Sequence, residues 1–304
     1  MQGITTTARL VRVVDGDTLR VSLGTGEESL RLLCLDTEEA NAGSTKPVTP
    51  WGKQASAAAK EIFRPGDEVT LELPGTEPLE EALRRYRDNF GRLLVFAYEP
   101  DGADFQEHWI RDGFSPYFTK YGYAEFPGHH ARYRAAETQA QRANRGLWDQ
   151  VAVNGSERRN YALLGVWWEL RAQLVEEFRA RRRAASGPRL FDSRLDYATL
   201  ADLARTGERV TVFTELSELK RLGARKAAIT IGSVHQPFQL FIPDLTSTAG
   251  QEIAWLLTHR YLGGDETHPR RGYAYVTGDL KLFGGRPELL LGGADQIGDA
   301  PPAG

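Results

Sequence analysis

The sequence predicts a mainly β chain with helices, an α+β protein built from two five-stranded barrels joined by a long helix. Three observations lead there. Short stretches of alternating apolar and polar residues recur in two groups of five, one before residue 100 and one after residue 208. In each group a helical pattern stands between the third and fourth stretch, an order that suits a small Greek-key barrel. Between the groups Leu163, Trp167, Leu170, Leu174 and Phe178 recur at spacings of four, three, four and four, an apolar helical stripe.

The elements follow in order. Residues 4–14 and 18–23 read as two strands around Asp15-Gly16-Asp17, with Leu19, Val21 and Leu23 alternating against Arg20 and Ser22. Gly24-Thr25-Gly26-Glu27 is a hairpin signal, and Leu30 to Leu35 is the third strand. Thr49 can cap a helix that opens on Pro50 and stops at Pro65-Gly66. Glu68 to Leu73 and Arg92 to Ala97 complete the first five, separated by a charged insertion with a helical turn at Leu79 to Tyr86. Helices are expected at Ala103 to Asp112 and at His129 to Asn144, with His129-His130 reading as a helix start and not as a metal site. The long helix closes on Arg179-Ala180-Arg181-Arg182-Arg183 before Ser186-Gly187-Pro188.

The second group has a short helix at Tyr197 to Arg205 ending at Gly207, then strands at Arg209–Leu216, Lys226–Ile231 and Phe238–Pro243. A helix at Ala249 to Leu262 and strands at Tyr273–Leu282 and Pro287–Leu291 follow, which is the OB-fold arrangement. Trp255, at helical spacing with Ile253 and Leu256, reads as core, and the tail from Gly298 reads as disordered.

Composition narrows the function classes. The 304 residues suit two domains, and 41% hydrophobic with 26% charged residues is ordinary for a soluble protein. A formal net charge of −3 gives no global footprint for nucleic acid, so any such footprint is local. The one cysteine, Cys34, excludes an intramolecular disulfide and reads as a small core residue, compatible with a reducing compartment. No basic stretch followed by an apolar one opens the chain, and the most apolar run, Tyr161 to Trp168, is too short to span a bilayer. A cytoplasmic location and no membrane partner are the expectation.

Chemistry concentrates at Val14-Asp15-Gly16-Asp17-Thr18 and Arg31-Leu32-Leu33-Cys34-Leu35-Asp36-Thr37-Glu38-Glu39. An Asp-Gly-Asp by itself is a turn more often than a site. Asp17 and Asp36 end neighbouring candidate strands, and carboxylates with a backbone carbonyl favour a hard cation, Ca²⁺ or Mg²⁺. Arg31 leads to Asp36, and Arg92 follows the turn Asp88-Asn89-Phe90-Gly91. Guanidinium forks match phosphate oxygens, and Glu39 is a candidate base acting on water.

Together with Trp51-Gly52-Lys53-Gln54-Ala55 and Arg145-Gly146-Leu147-Trp148, these motifs resemble staphylococcal nuclease, the thermonuclease family, from about Ile4 to Trp148. The resemblance implies an OB barrel that cleaves phosphodiester bonds of DNA and RNA with Ca²⁺ (Mg²⁺ or Mn²⁺ as alternatives) and leaves 3′-phosphates. It implies Asp17, Asp36 and the carbonyl of Thr37 as metal ligands, Glu39 as the base, and Arg31 and Arg92 as phosphate clamps. It also implies Asp88, Tyr121 and Tyr123 as nucleotide contacts, the tyrosines flanking the bound nucleotide. The chain departs from the family at Glu38, where a proline is usual, and in the longer insertion before Asp88.

The expected organisation is thus a nuclease-like barrel over residues 1–150, a helical connector and linker over 151–189, an OB domain over 190–297 and a tail over 298–304. The OB domain is expected to bind nucleic acid, single strands included, with Gln239, Phe241, Lys281 and Arg286 as an aromatic and basic face. Residues 128–185 hold 11 Arg, no Lys and 6 acidic residues, a local +5 that is a second candidate for tracking phosphates. The alternative function is a non-catalytic nucleic-acid-binding or scaffold protein that uses both barrels as interaction modules.

Overall fold

The structure is a computed structural model; it describes residues 1–304 except 25, 44–46, 89, 120–125, 150–160, 185–188, 265–267 and 303–304. The chain divides into two units, Met1–Ala172 and Gln173–Gly304.

The first unit runs β1 (Thr5–Asp15), β2 (Thr18–Leu23), β3 (Gly26–Leu32), α1 (Pro50–Ile62), β4 (Glu68–Glu72), α2 (Leu79–Arg85), β5 (Leu93–Tyr98), α3 (Phe105–Arg111) and α4 (Pro127–Arg142). The five strands close into a barrel in the order β1-β2-β3-β5-β4. Closure depends on β1, whose first half pairs with β4 and whose second half pairs with β2. Two register shifts in the β1–β2 pairing bend it between the two partners. Leu10, Leu19, Val21, Leu30, Leu71 and Val95 are all buried. Trp109 of α3 lies between Phe105 and Phe114, with ring centroids 4.3 and 4.6 Å away.

The third strand stops at Leu32, three residues before its expected end. Cys34 has a left-handed backbone, φ 64°, which turns the chain out of the sheet. The cysteine is buried, as expected of a small core residue. A buried polar group lies beneath α4. Glu72 at the end of β4 accepts from the backbone of Gln2 and Gly3, from Tyr98 and from His129 Nε2. His129, in the first turn of α4, is therefore a structural histidine and not a surface one.

The long helix α5 (Tyr161–Arg183) carries the boundary between the units. In the first unit its Leu164 and Trp168 cluster with Phe118 and Leu147. Arg171 is buried, its guanidinium 5.2 Å from the Phe118 ring. Several of the arginines behind the local +5 are thus already engaged. Arg132 pairs with Asp104 and Glu107, Arg134 with Glu169, and Arg145 with Asp112.

The second unit continues with β6 (Leu190–Asp192), α6 (Tyr197–Thr206), β7 (Arg209–Glu215), β8 (Lys220–Leu222), β9 (Lys226–Thr230), β10 (Gln239–Ile242), α7 (Thr248–Leu256), β11 (Tyr273–Phe283), β12 (Arg286–Leu290) and β13 (Ile297–Gly298). Its five expected strands are present and pair as β7-β11-β12-β10-β9, with β10 and β12 parallel. The expected second barrel is nevertheless an open sheet. The two edges that would have to meet are already taken, β7 by β6 in parallel and β9 by β8 through a hairpin. Ile229, Leu240, Ile253, Val276 and Leu289 form the core.

Two further expectations change. Trp255 is 63% exposed, its ring stacked on His259 at 4.6 Å, so α7 packs through Gly250 and Ile253 instead. The start of the tail is ordered, because Gly298 pairs with Tyr275 and the Asp299 carboxylate takes Arg260, Tyr261 and Arg271. No helix among the described residues is long and apolar enough to cross a membrane.

Candidate active site

The turn between β1 and β2 is built for close approach. A Cβ on Gly16 would lie 3.0 Å from the Ala55 side chain of α1 and from Thr37. The β2–β3 hairpin sets Thr18 opposite Arg31, and the Leu32 amide donates to the Asp17 carbonyl at 2.9 Å. Asp17 and Arg31 are thus brought together by strand register alone. Arg31 then bridges the two predicted acids, with Nη1 2.5 Å from Asp17 Oδ1 and Nη2 3.3 Å from Asp36 Oδ1. Nη2 also donates to the Leu35 carbonyl at 3.0 Å.

Both acids are held by backbone and hydroxyl groups. Asp17 accepts from Thr18 Oγ1 at 2.9 Å and from the Thr37 amide at 3.2 Å. The Asp36 amide donates to Ser115 Oγ at 2.8 Å, a buried contact across 79 residues of sequence. Asp15 accepts from the Gly16 and Ala40 amides at 2.7 and 3.5 Å. Burial, then the charges of Asp17 and Glu39, push its pKa up to about 6 against those hydrogen bonds.

The Glu38-Glu39 pair is placed by α1. Thr49 caps that helix by accepting from the Gly52 amide at 3.1 Å, and its own amide donates to the Glu39 carbonyl at 3.1 Å. A Cβ on Gly52 would meet that carbonyl at 2.2 Å, so only glycine lets the loop lie against the helix start. Glu38 is 2% exposed whereas Glu39 is half-buried. Of the two, Glu39 is the one that reaches solvent.

Arg92 stands just before β5, two residues ahead of Leu94, which lies opposite Arg31 on β3. Asp88 holds it. The Asp88 carboxylate is fully buried and accepts from the Phe90 amide, the Arg92 amide and Arg92 Nε, at 2.9, 2.9 and 2.7 Å. Asp88 was expected to contact nucleotide; its oxygens are instead committed to the turn and to Arg92. The neighbouring Phe90 is 83% exposed, with the Arg92 guanidinium 5.5 Å from its ring centre.

The insertion before Asp88 is a brace. Arg87 grips Glu28 of β3 with both Nη atoms, at 2.8 and 2.9 Å, and also donates to the Leu83 and Gly91 carbonyls at 2.8 and 2.9 Å. One guanidinium thus ties the last turn of α2, strand β3 and the Asp88–Arg92 turn together. Ser115, Glu28 and Arg87 escaped the sequence reading, since each partner is 59 or more residues away. Tyr121 and Tyr123 lie outside the described residues.

Among the described residues no three of His, Cys, Asp and Glu come together to hold a metal unaided. The donor set of Asp17, Asp36 and the Thr37 carbonyl nevertheless fits a hard cation. It is all oxygen, and the two carboxylates already converge on one positive group, the Arg31 guanidinium.

Known proteins can be set beside this geometry. The family described as staphylococcal nuclease homologue matches residues 29–150, which carry Arg31, Asp36, Glu39 and Arg92. The chain is 30% identical to a thermonuclease of Staphylococcus hyicus over 145 residues, 47% of this chain and 75% of that one. It is 23% identical to the endonuclease YhcR of Bacillus subtilis over 297 residues, 96% of this chain but only 22% of that much longer protein. The endonuclease YncB of the same organism is 28% identical over 141 residues, 46% of this chain and 61% of YncB. With three quarters of the Staphylococcus hyicus thermonuclease covered and a barrel in the matching half that sets Asp17, Arg31 and Asp36 together, the chain belongs to the staphylococcal nuclease homologue family.

Proposed function

We propose that this protein is a metal-assisted nuclease that hydrolyses phosphodiester bonds of DNA, RNA or both with low sequence specificity, and that its second unit holds nucleic acid. The observation that carries the reading is Arg31 drawn between Asp17 and Asp36, with Arg92 fixed by a buried Asp88 just before β5, the strand that pairs with β3. Low specificity agrees with charged groups at the site that suit phosphate, which every nucleotide carries.

In this reading Asp17, Asp36 and the Thr37 carbonyl hold Ca²⁺, with Mg²⁺ or Mn²⁺ as alternatives. Bound there, the cation would supply Lewis-acid neutralisation of a phosphoryl oxygen. Glu39 accepts a proton from the water that attacks phosphorus. Arg31 and Arg92 take the growing charge on the phosphoryl oxygens, Arg92 through the Nη atoms that its Asp88 contact leaves available. The 5′ oxygen leaves, so the product carries a 3′-phosphate.

The test is cleavage of end-labelled single- and double-stranded DNA and RNA with Ca²⁺, Mg²⁺, Mn²⁺ or chelator. Full activity in chelator removes the metal, and undiminished activity in Arg92→Ala removes the clamp. Binding with no cleavage in any condition favours the scaffold reading. The brace adds a prediction of its own. Arg87→Ala is expected to lower kcat about tenfold or more with little change in KM, because Arg92 is loosened and not removed. An unchanged kcat in a folded Arg87→Ala variant would show that the turn holds itself.

A further inference from the structure

The second unit has a solvated sheet face whose composition is fixed by strand register. Lys281 on β11 lies opposite Glu288 on β12, Glu288 opposite Gln239 on β10, and Gln239 opposite Thr230 on β9. Lys220 on β8 lies opposite Ala228, which faces Phe241. The other alternation, Ile229, Leu240, Leu280 and Leu289, is completely buried, so these residues define the outer side.

That side is cationic. Lys220, Lys226, Lys281 and Arg286 project there, all exposed and none in an ion pair among the described residues. Against them stand Glu288, which accepts from Gln239 Nε2 at 2.5 Å, and Asp279, which pairs with Arg209 at 3.2 Å. On a chain of net charge −3 this is a local excess that suits a polyanion.

The face also has an aromatic element and a recess. Phe283 is 68% exposed at the end of β11, where Gly284 and Gly285, at φ 56° and 77°, turn the chain into β12. Beside it opens a cavity of about 290 Å³ walled by Phe238, Phe283, Gln239, Arg286 and Glu288. It is small by the standard of ligand pockets and suits one flat group. An exposed ring beside a shallow recess, with cations spaced across the strands, matches an unstacked base and its phosphates. A paired duplex offers no free base face to such a ring.

We propose that single-stranded nucleic acid lies across this face, with one base stacked on Phe283 over the cavity and its phosphates passing Arg286 and Lys281. The proposal rests on the reading that the chain acts on nucleic acid, and gives the strand a hold separate from the residues that cleave it.

The test uses the full chain in chelator and a fluorescein-labelled 15-nucleotide oligothymidylate, followed by anisotropy. Phe283→Ala is expected to weaken binding roughly tenfold, the usual size for a lost base–aromatic stack. Arg286→Gln is expected to reduce the slope of log Kd against log salt by about 0.7, one phosphate contact on a single strand. A duplex of the same length should be insensitive to Phe283→Ala. Cleavage of a thymidine 3′,5′-bis(phosphate) aryl ester, a single nucleotide with no strand to lay across the face, should be the same in Phe283→Ala as in the parent. Phe283 is at an exposed hairpin tip, and a melting curve confirms that the variant folds.

Equal affinity of parent and Phe283→Ala overturns the proposal, as does an equal loss on duplex and single strand. If the parent cleaves and Phe283→Ala binds as tightly as the parent, this proposal fails alone. If nothing is cleaved but binding depends on Phe283, the nuclease reading fails and the binding face stands.

Discussion

Arg31→Met is expected to lower cleavage about a thousandfold and, in chelator, to destabilise the first unit by roughly 3–5 kcal/mol. The two losses have different origins. The catalytic loss is that of a fork aimed at phosphate, which a thioether does not replace. The loss of stability comes from Asp17 and Asp36, whose side chains are 6% and 11% exposed and would lose the counter-charge that the Arg31 guanidinium gives both. A divalent cation would restore that counter-charge. Added Ca²⁺ should therefore raise the melting temperature of Arg31→Met by more than it raises that of the parent, with no substrate present. Equal shifts in the two proteins would mean that the carboxylates do not hold the ion. Arg31→Lys separates the effects, since an ammonium keeps the charge and loses the fork; it should recover much of the stability and little of the rate.

The parts of this site that could be read from sequence share one property: they are set by neighbours along the chain. Asp17 and Arg31 face each other because a short hairpin joins them, and Asp36 follows five residues after Arg31, which pairs with Thr18. Alternation and turn signals are enough to place such groups. The residues that hold them in position are set by the fold instead. Ser115 reaches the Asp36 amide across 79 residues, and Arg87 reaches Glu28 across 59. Nothing local marks either as more than a loop serine or a surface arginine. Asp88 shows the converse: its place in a motif suggested a nucleotide contact, but its oxygens are used within its own turn.

The same division explains the second unit. Five strands and the helix between the third and fourth were legible, because each has its own pattern and stop signal. Closure was not, because it depends on which strand takes a vacant edge. β6, only three residues long, occupies the edge of β7 and arrives from the far end of α5 in sequence. Trp255 failed for a related reason. Helical spacing says that residues share a face but not which face is covered, and the apolar stripe of α7 is covered only around Ile253.

Glu72→Gln is expected to cost about 3 kcal/mol at neutral pH, and the cost should shrink as the solution is made acid. The Glu72 carboxylate is completely buried, which by itself would raise its pKa. The hydrogen bonds from His129, Gly3, Tyr98 and Gln2 outweigh burial and hold the pKa down at about 2, against an ordinary 4.5. Arg132 donates to His129 Nδ1 at 2.7 Å, which leaves Nε2 to donate to Glu72 at 2.9 Å and fixes the direction of the network. A depressed carboxylate contributes stability that is complete above its unfolded pKa and is lost as pH falls through its folded one. The window is therefore pH 4.5 down to about 2. A glutamine has no proton to gain there and turns an amide N–H towards at least one donor. Denaturant unfolding of parent and variant from pH 7 to pH 2 reads the difference directly. The two stabilities should converge as the parent's carboxylate protonates, while the other acids of the chain titrate alike in both proteins and cancel. A gap that stays constant from pH 7 to pH 2 would mean that Glu72 is held by packing and that its charge contributes nothing to the fold.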